Sequence, residues 1–154
     1  MNNRKFEKKI SEVPWADRKT ATGDAYQIPE ALSEIRSPDA DVRKRAYWKI
    51  DNHVVLQSDL YEAAYDVVPF LIDIVRDRTS FGRELAYDLL FEIANGYAPE
   101  DVTCEIGAGE RVPLQVACHM ALIAGQDVFE GDRHDPDPVI RSKASELLER
   151  LQGD

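Results

Sequence analysis

A spacing that recurs along the chain limits the possible folds more than any other feature. Ile28-Pro29, Val68-Pro69 and Val112-Pro113 each open an apolar segment, and Arg43-x-x-Ala46, Arg83-x-x-Ala86 and Arg141-x-x-Ala144 each stand in a second periodic segment downstream. Ile50, Leu90 and Leu148 all fall seven residues after the arginine. Proline to arginine is 14 residues in the first and second units, and both landmarks recur after 40; in the third unit the distance is 28, as if 14 residues had been inserted. A period near 40 residues is that of stacked helix pairs, each of which buries its apolar face only against its neighbours.

Each landmark has a physical reason. Proline fits the first turn of a helix, where its missing N–H has no intrahelical partner, so Pro29, Pro69 and Pro113 are expected to mark the first helix of each pair. The second helix follows a turn, Ser37-Pro38-Asp39 in the first unit and Asp135-Pro136-Asp137-Pro138 in the third, whose short polar side chains suit caps. Alanine lets helices approach closely, and the residues beyond it continue an apolar stripe: Ala46 and Ile50; Ala86, Leu89, Leu90 and Ile93; Ala144, Leu147, Leu148 and Leu151. The pattern predicts first helices over 28–36, 65–77 and 112–124 and second helices over 40–52, 81–95 and 137–151, giving units at 28–52, 65–95 and 112–151. An amphipathic helix over 4–12, carrying Phe6, Ile10 and Val13 with Trp15 just beyond, is expected to cap the open end within 4–15. No alternating strand pattern of convincing length competes. The expected fold is a single all-α domain over 1–154. An arginine near a helix amino terminus opposes the positive end of the helix dipole. Arg43, Arg83 and Arg141 are therefore expected to be structural pins, held by carboxylates or by carbonyls of the neighbouring unit.

The phrases Asp24-Ala25-Tyr26-Gln27-Ile28-Pro29, Arg36-Ser37-Pro38-Asp39 and Tyr61-Glu62-Ala63-Ala64-Tyr65-Asp66-Val67-Val68-Pro69-Phe70-Leu71 resemble a group of small bacterial HEAT-like proteins, over roughly Trp15 to Gly96. His53 and Gln57 match polar positions that the group often carries as an adjacent pair, and here they are separated. The resemblance implies an α-solenoid of three HEAT-like helix pairs with an N-terminal capping helix. It also implies a binding role, since bacterial HEAT-like proteins of this size include immunity proteins that neutralise a cognate toxin.

Charge gives the partner class. The chain carries −10 at pH 7, and the whole imbalance lies between Glu84 and Asp137, where twelve acids face two bases and no lysine occurs from Lys49 to Lys143. Such a field repels nucleic acid and steers a basic protein. Glu84, Asp88 and Glu92 recur at i, i+4 and i+8 of the second unit's second helix, where like charges cost about 0.2–0.5 kcal/mol per pair. This spacing suits an acidic ridge for a basic partner, and it suits a solvated face equally. Glu100, Asp101, Glu105 and Glu110 come from the connection that follows and could converge with the ridge. The connections over 95–111 and 125–137 exceed the ~12–15 residues usual for structureless loops, which leaves functional loops, spacers or short undetected helices.

Other chemistries find little support. The stretch from Asp127 to Asp137 lacks the ordered ligands of a calcium loop, and no paired His or Cys motif suits zinc, so neither a metal nor a cofactor is expected. Cys118 and His119 are neighbours on a helix and point about 100° apart, which suits a core thiol better than a nucleophile and its base. No enzyme is expected. A charged amino terminus and two cysteines point to a cytoplasmic protein with free thiols. The reading that follows is an immunity-type inhibitor occluding a basic toxin domain, with a general scaffold or adaptor as the alternative.

Overall fold

The computed structural model describes residues 3–107 and 109–153. Met1 and Asn2 of the charged amino terminus, Ala108 of the 95–111 connection and Asp154 lie outside the described residues. The chain is mostly helical. Helix α1, Asn3–Ser11, buries Phe6 and Ile10 one turn apart. The Phe6 ring meets Phe70 edge-on at 5.8 Å. Trp15, in a 3₁₀ turn, donates its indole N–H to the Ile10 carbonyl at 2.8 Å and lies 6.2 Å from the same Phe70 ring.

Helix α2, Ile28–Glu34, has Pro29 in its first turn, and α3, Ala40–Val54, begins at Asp39, whose carboxylate accepts from the N–H groups of Asp41 and Val42. The end of α3 runs straight into a two-residue hairpin of β1, Val55–Leu56, and β2, Asp59–Leu60. Its turn residues, Gln57 and Ser58, have φ of 50° and 71°. Both are positive, as the twist of a tight hairpin demands.

Helix α4, Ala63–Arg76, corrects one expectation: Pro69 lies inside the helix, not at its start. A proline there removes the N–H that would reach the Tyr65 carbonyl, a cost of about 3 kcal/mol. Nine buried residues from Ala63 to Val75 offset it and make α4 the centre of the core. Helix α5, Arg83–Ala94, is entered through Gly82 at φ 87°. A Cβ at Gly82 would sit 2.1 Å from the Ile35 carbonyl oxygen, so only glycine lets the two backbones meet.

Both long connections are structured. The first holds a second hairpin, β3, Thr103–Ile106, and β4, Glu110–Pro113, paired from Thr103↔Pro113 to Ile106↔Glu110. The two hairpins correct the all-α expectation. Helix α6, Leu114–Ile123, starts just after Pro113, as the landmark predicts. The second connection folds as α7, Gln126–Asp132, and α8, Pro138–Gln152, follows from the Asp137 cap.

Helix α2 packs on α3, α4 on α5, and α5 lies between α3 and α8; α6 packs on α4 and α5, and α7 on α8 and α4. One contiguous core runs from Phe6 to Leu151. The inserted residues of the third unit are thus α7, and α8 packs mainly on α7 and α5, so this unit is not a simple pair. Among the described residues no helix is long and apolar enough to cross a membrane.

Candidate functional site

The starts of α3, α5 and α8 lie side by side, and the three repeat arginines show how each is held. Arg43 and Arg141 are equivalent. Each is four residues past a capping aspartate, Asp39 or Asp137, and each donates through Nη1, at 2.8 Å, to the carbonyl six residues back, Ser37 or Asp135. The carbonyls belong to the preceding turn of the same unit, which corrects the expectation of a neighbouring one.

Arg83 differs: it is the first residue of α5 and is 9% exposed. Its Nε donates to the Val75 carbonyl at 3.0 Å and Nη1 to Asp135 at 3.1 Å. Nη2 lies 3.0 Å from Asp132, an ion pair without hydrogen-bond alignment. The Tyr87 hydroxyl donates to the same Asp132 carboxylate. Burial alone would raise the pKa of Asp135. The Asp137 N–H and the Arg83 guanidinium outweigh it and hold the group below the ordinary carboxylate range, with Arg78 adding to the pull. For Tyr87, burial and then Asp132 push the phenol far up. The carboxylates that hold Arg83 come from α7 and the turn before α8. One guanidinium thus engages both Asp132 and Asp135 of the 125–137 stretch.

Above these helix starts lies a groove of about 750 Å³. Arg43, Lys44, Tyr47 and Trp48 of α3, Arg78 and Phe81 of the α4–α5 turn, Glu84 and Asp88 of α5, and Asp135 to Asp137 before α8 line it. The Arg43 guanidinium lies 5.3 Å from the Phe81 ring centroid, and Tyr47 meets Trp48 edge-on at 5.0 Å. Trp48 is 50% and Phe81 52% exposed.

The candidate acids fall in different places. Glu84 and Asp88 line the groove, and Asp88 is ion-paired with Lys143 of α8. Glu92, further along α5, is exposed, and its field reaches α3: burial first, then Glu92, raises the pKa of Asp51. Burial, then Asp51, Asp88 and Glu92, pushes Tyr47 up to about 12. The acidic character of the ridge is thus shared by α3 and α5. Glu105 lies elsewhere, in a depression of about 450 Å³ with Arg18, Glu62, Asp66 and Arg111. There Arg18 pairs with Asp66 at 2.7 Å and Arg111 with Glu62 at 3.3 Å. Glu100, Asp101 and Glu110 are exposed and line neither depression. The ridge and the hairpin acids do not form one lining.

Of the groove's cations Arg43 figured in the sequence reading, as a pin, while Lys44, Arg78 and the aromatics escaped it. Among the aromatics Trp48 carries a signal, as a large ring off the stripe of Ala46 and Ile50. Cys104 and Cys118 are free and buried, and burial pushes the Cys104 thiol up to about 11 and that of Cys118 further. Such thiols are poor nucleophiles. His53, of the separated polar pair, is buried with Nδ1 2.5 Å from the Lys49 carbonyl oxygen, and Gln57 serves the β1–β2 turn. No family model, curated protein or solved structure matches the chain.

Proposed function

We propose that the chain is a protein-binding module of the HEAT-like solenoid type, whose binding face is the one lined by α3, α5 and α8, and that it works as an immunity-type inhibitor by occluding a cognate, basic toxin domain. The observation that carries a binding role is the groove on that face: two half-exposed aromatic rings beside charged side chains, the composition that supplies most of the energy in protein interfaces. The toxin assignment rests on the resemblance and on the regional excess of acids. Helix order supports the solenoid over the first two units, since α2 packs on α3 and α4 on α5, while α3, α5 and α8 pack in one row.

In this mechanism Glu84 and Glu92 steer the partner, and rigid helices present them without reorganisation. The test is affinity capture from the source cells, followed by binding kinetics of the Glu84→Gln, Asp88→Asn, Glu92→Gln triple variant at two ionic strengths. The association rate should fall and lose salt dependence. Unaltered kinetics would remove the ridge from the interface. A scaffold or adaptor role is the second reading, favoured by the mixed charge of the groove; a captured partner with no toxic activity would select it.

A further inference from the structure

The lining of the groove is charged in a way that the acidity of the chain does not suggest. Asp88 is engaged by Lys143, Asp135 by Arg83, and Asp137 by the Val139 N–H at the start of α8. Among the described residues, Arg43, Lys44 and Arg78 line the same groove with no carboxylate within ion-pair distance, and Glu84 and Asp137 are the lining acids with no cation at that distance. Arg43 is held in place by the Ser37 carbonyl and the Phe81 ring, so its charge is already positioned. A basic segment entering here would meet three cations that stand outside any ion pair, against two such acids.

Building on the protein-binding reading above, we propose that the groove seats a segment of the partner protein carrying an aspartate or glutamate next to an apolar side chain. The carboxylate faces Arg43, Lys44 and Arg78, and the apolar group lies against Trp48 and Phe81. The interface is then dipolar: an acidic anchor enters the groove while basic residues of the partner meet Glu84 and Glu92 at the rim. Opposite charges at opposite ends fix the orientation of docking and reject a partner turned end for end.

Selection of random twelve-residue peptides on the full chain tests the occupant. Peptides enriched in Asp or Glu beside Trp, Phe, Leu or Met are expected, with binding reported by a change in Trp48 emission against the buried Trp15. Trp48→Ala, Phe81→Ala and Arg78→Ala, all at exposed positions, should each weaken the selected peptides about tenfold, with an unchanged melting midpoint. Enrichment of Lys and Arg, no enrichment, indifference to the three substitutions, or displacement by an oligothymidylate at equal affinity would each overturn the proposal. The two readings fail separately. A captured partner that responds to the acidic-ridge variant but not to Arg78→Ala sinks the groove occupant alone, whereas one indifferent to both sinks the binding face.

Discussion

The start of α5 and the starts of α3 and α8 carry the same sequence landmark and solve different physical problems. In α3 and α8 an aspartate caps the helix, and the arginine one turn later folds back over the cap to the carbonyl of the turn. Helix α5 has no such cap: Gly82 occupies that place and makes no side-chain hydrogen bond. There the arginine has moved to the helix start and inward, and two buried carboxylates from the third unit hold it. A repeated residue type thus marks a repeated position in the chain, whereas its energetic role is set by what packs over it. The central unit is covered by α7 and the turn to α8; the other two helix starts are open to solvent.

If this contrast is right, Arg83→Ala has the largest effect. Removing one side of a buried charge cluster leaves Asp132 and Asp135 without compensation, at a cost of about 3–5 kcal/mol. Chemical denaturation measures it, and a loss below about 1 kcal/mol would place Arg83 among the ordinary surface arginines. Acid gives the next test. Because the folded pKa of Asp135 lies below its unfolded value, its stabilisation is complete above the ordinary carboxylate range near pH 3.9 and is lost as the pH falls through the lowered value. Asp135→Asn should therefore flatten the acid limb of the stability profile, and an unaltered limb would deny the linkage. Smaller still, Asp39→Ala and Asp137→Ala should each cost about 1 kcal/mol, the usual value of a helix cap. Equal losses would sharpen the equivalence of the outer starts. Last, Arg141→Ala should change stability by no more than about 0.5 kcal/mol, since the side chain is exposed. A loss as large as that of Arg83→Ala would break the comparison.

What could be read in advance followed from local chemistry. The second helices, expected over 40–52, 81–95 and 137–151, form within two residues of those limits, because Asp39 and Asp137 cap two of them and the stripes behind all three bury. Proline was a less reliable guide. Pro29 and Pro113 stand at helix starts, while Pro69 is carried inside α4 by burial that outweighs its lost hydrogen bond. The β1–β2 hairpin was invisible because its turn is Gln57-Ser58, with neither the glycine nor the asparagine that normally announces two positive φ angles. Strands β3 and β4 are four residues each, and Glu110-Arg111-Val112-Pro113 does not alternate at all, so neither stands out. Helix α7 was hidden by Gly131 and by the lack of a polar cap at Gly125.

The candidate site was legible only as composition. Glu84, Asp88 and Glu92 were visible as a ridge, but Lys143, which compensates Asp88, lies 55 residues away. The groove needs Lys44 of α3, Arg78 and Phe81 of the α4–α5 turn, and Glu84 of α5 to meet. Periodicity along one helix cannot report a meeting between three segments.

The contact of Gly82 with the Ile35 carbonyl has an evolutionary consequence. There the backbone of the second unit comes against the backbone of the first, an approach that does not depend on which side chains line the groove. If the proposed binding role holds, a descendant of this chain could exchange Phe81, Arg78 or Lys44 for other side chains and take a different partner on an unchanged frame. Position 82 has no such freedom: its φ of 87° and the 2.1 Å approach exclude any side chain. In a lineage that must track a changing partner, the invariant and the variable would stand side by side, with Gly82 fixed and Phe81 free.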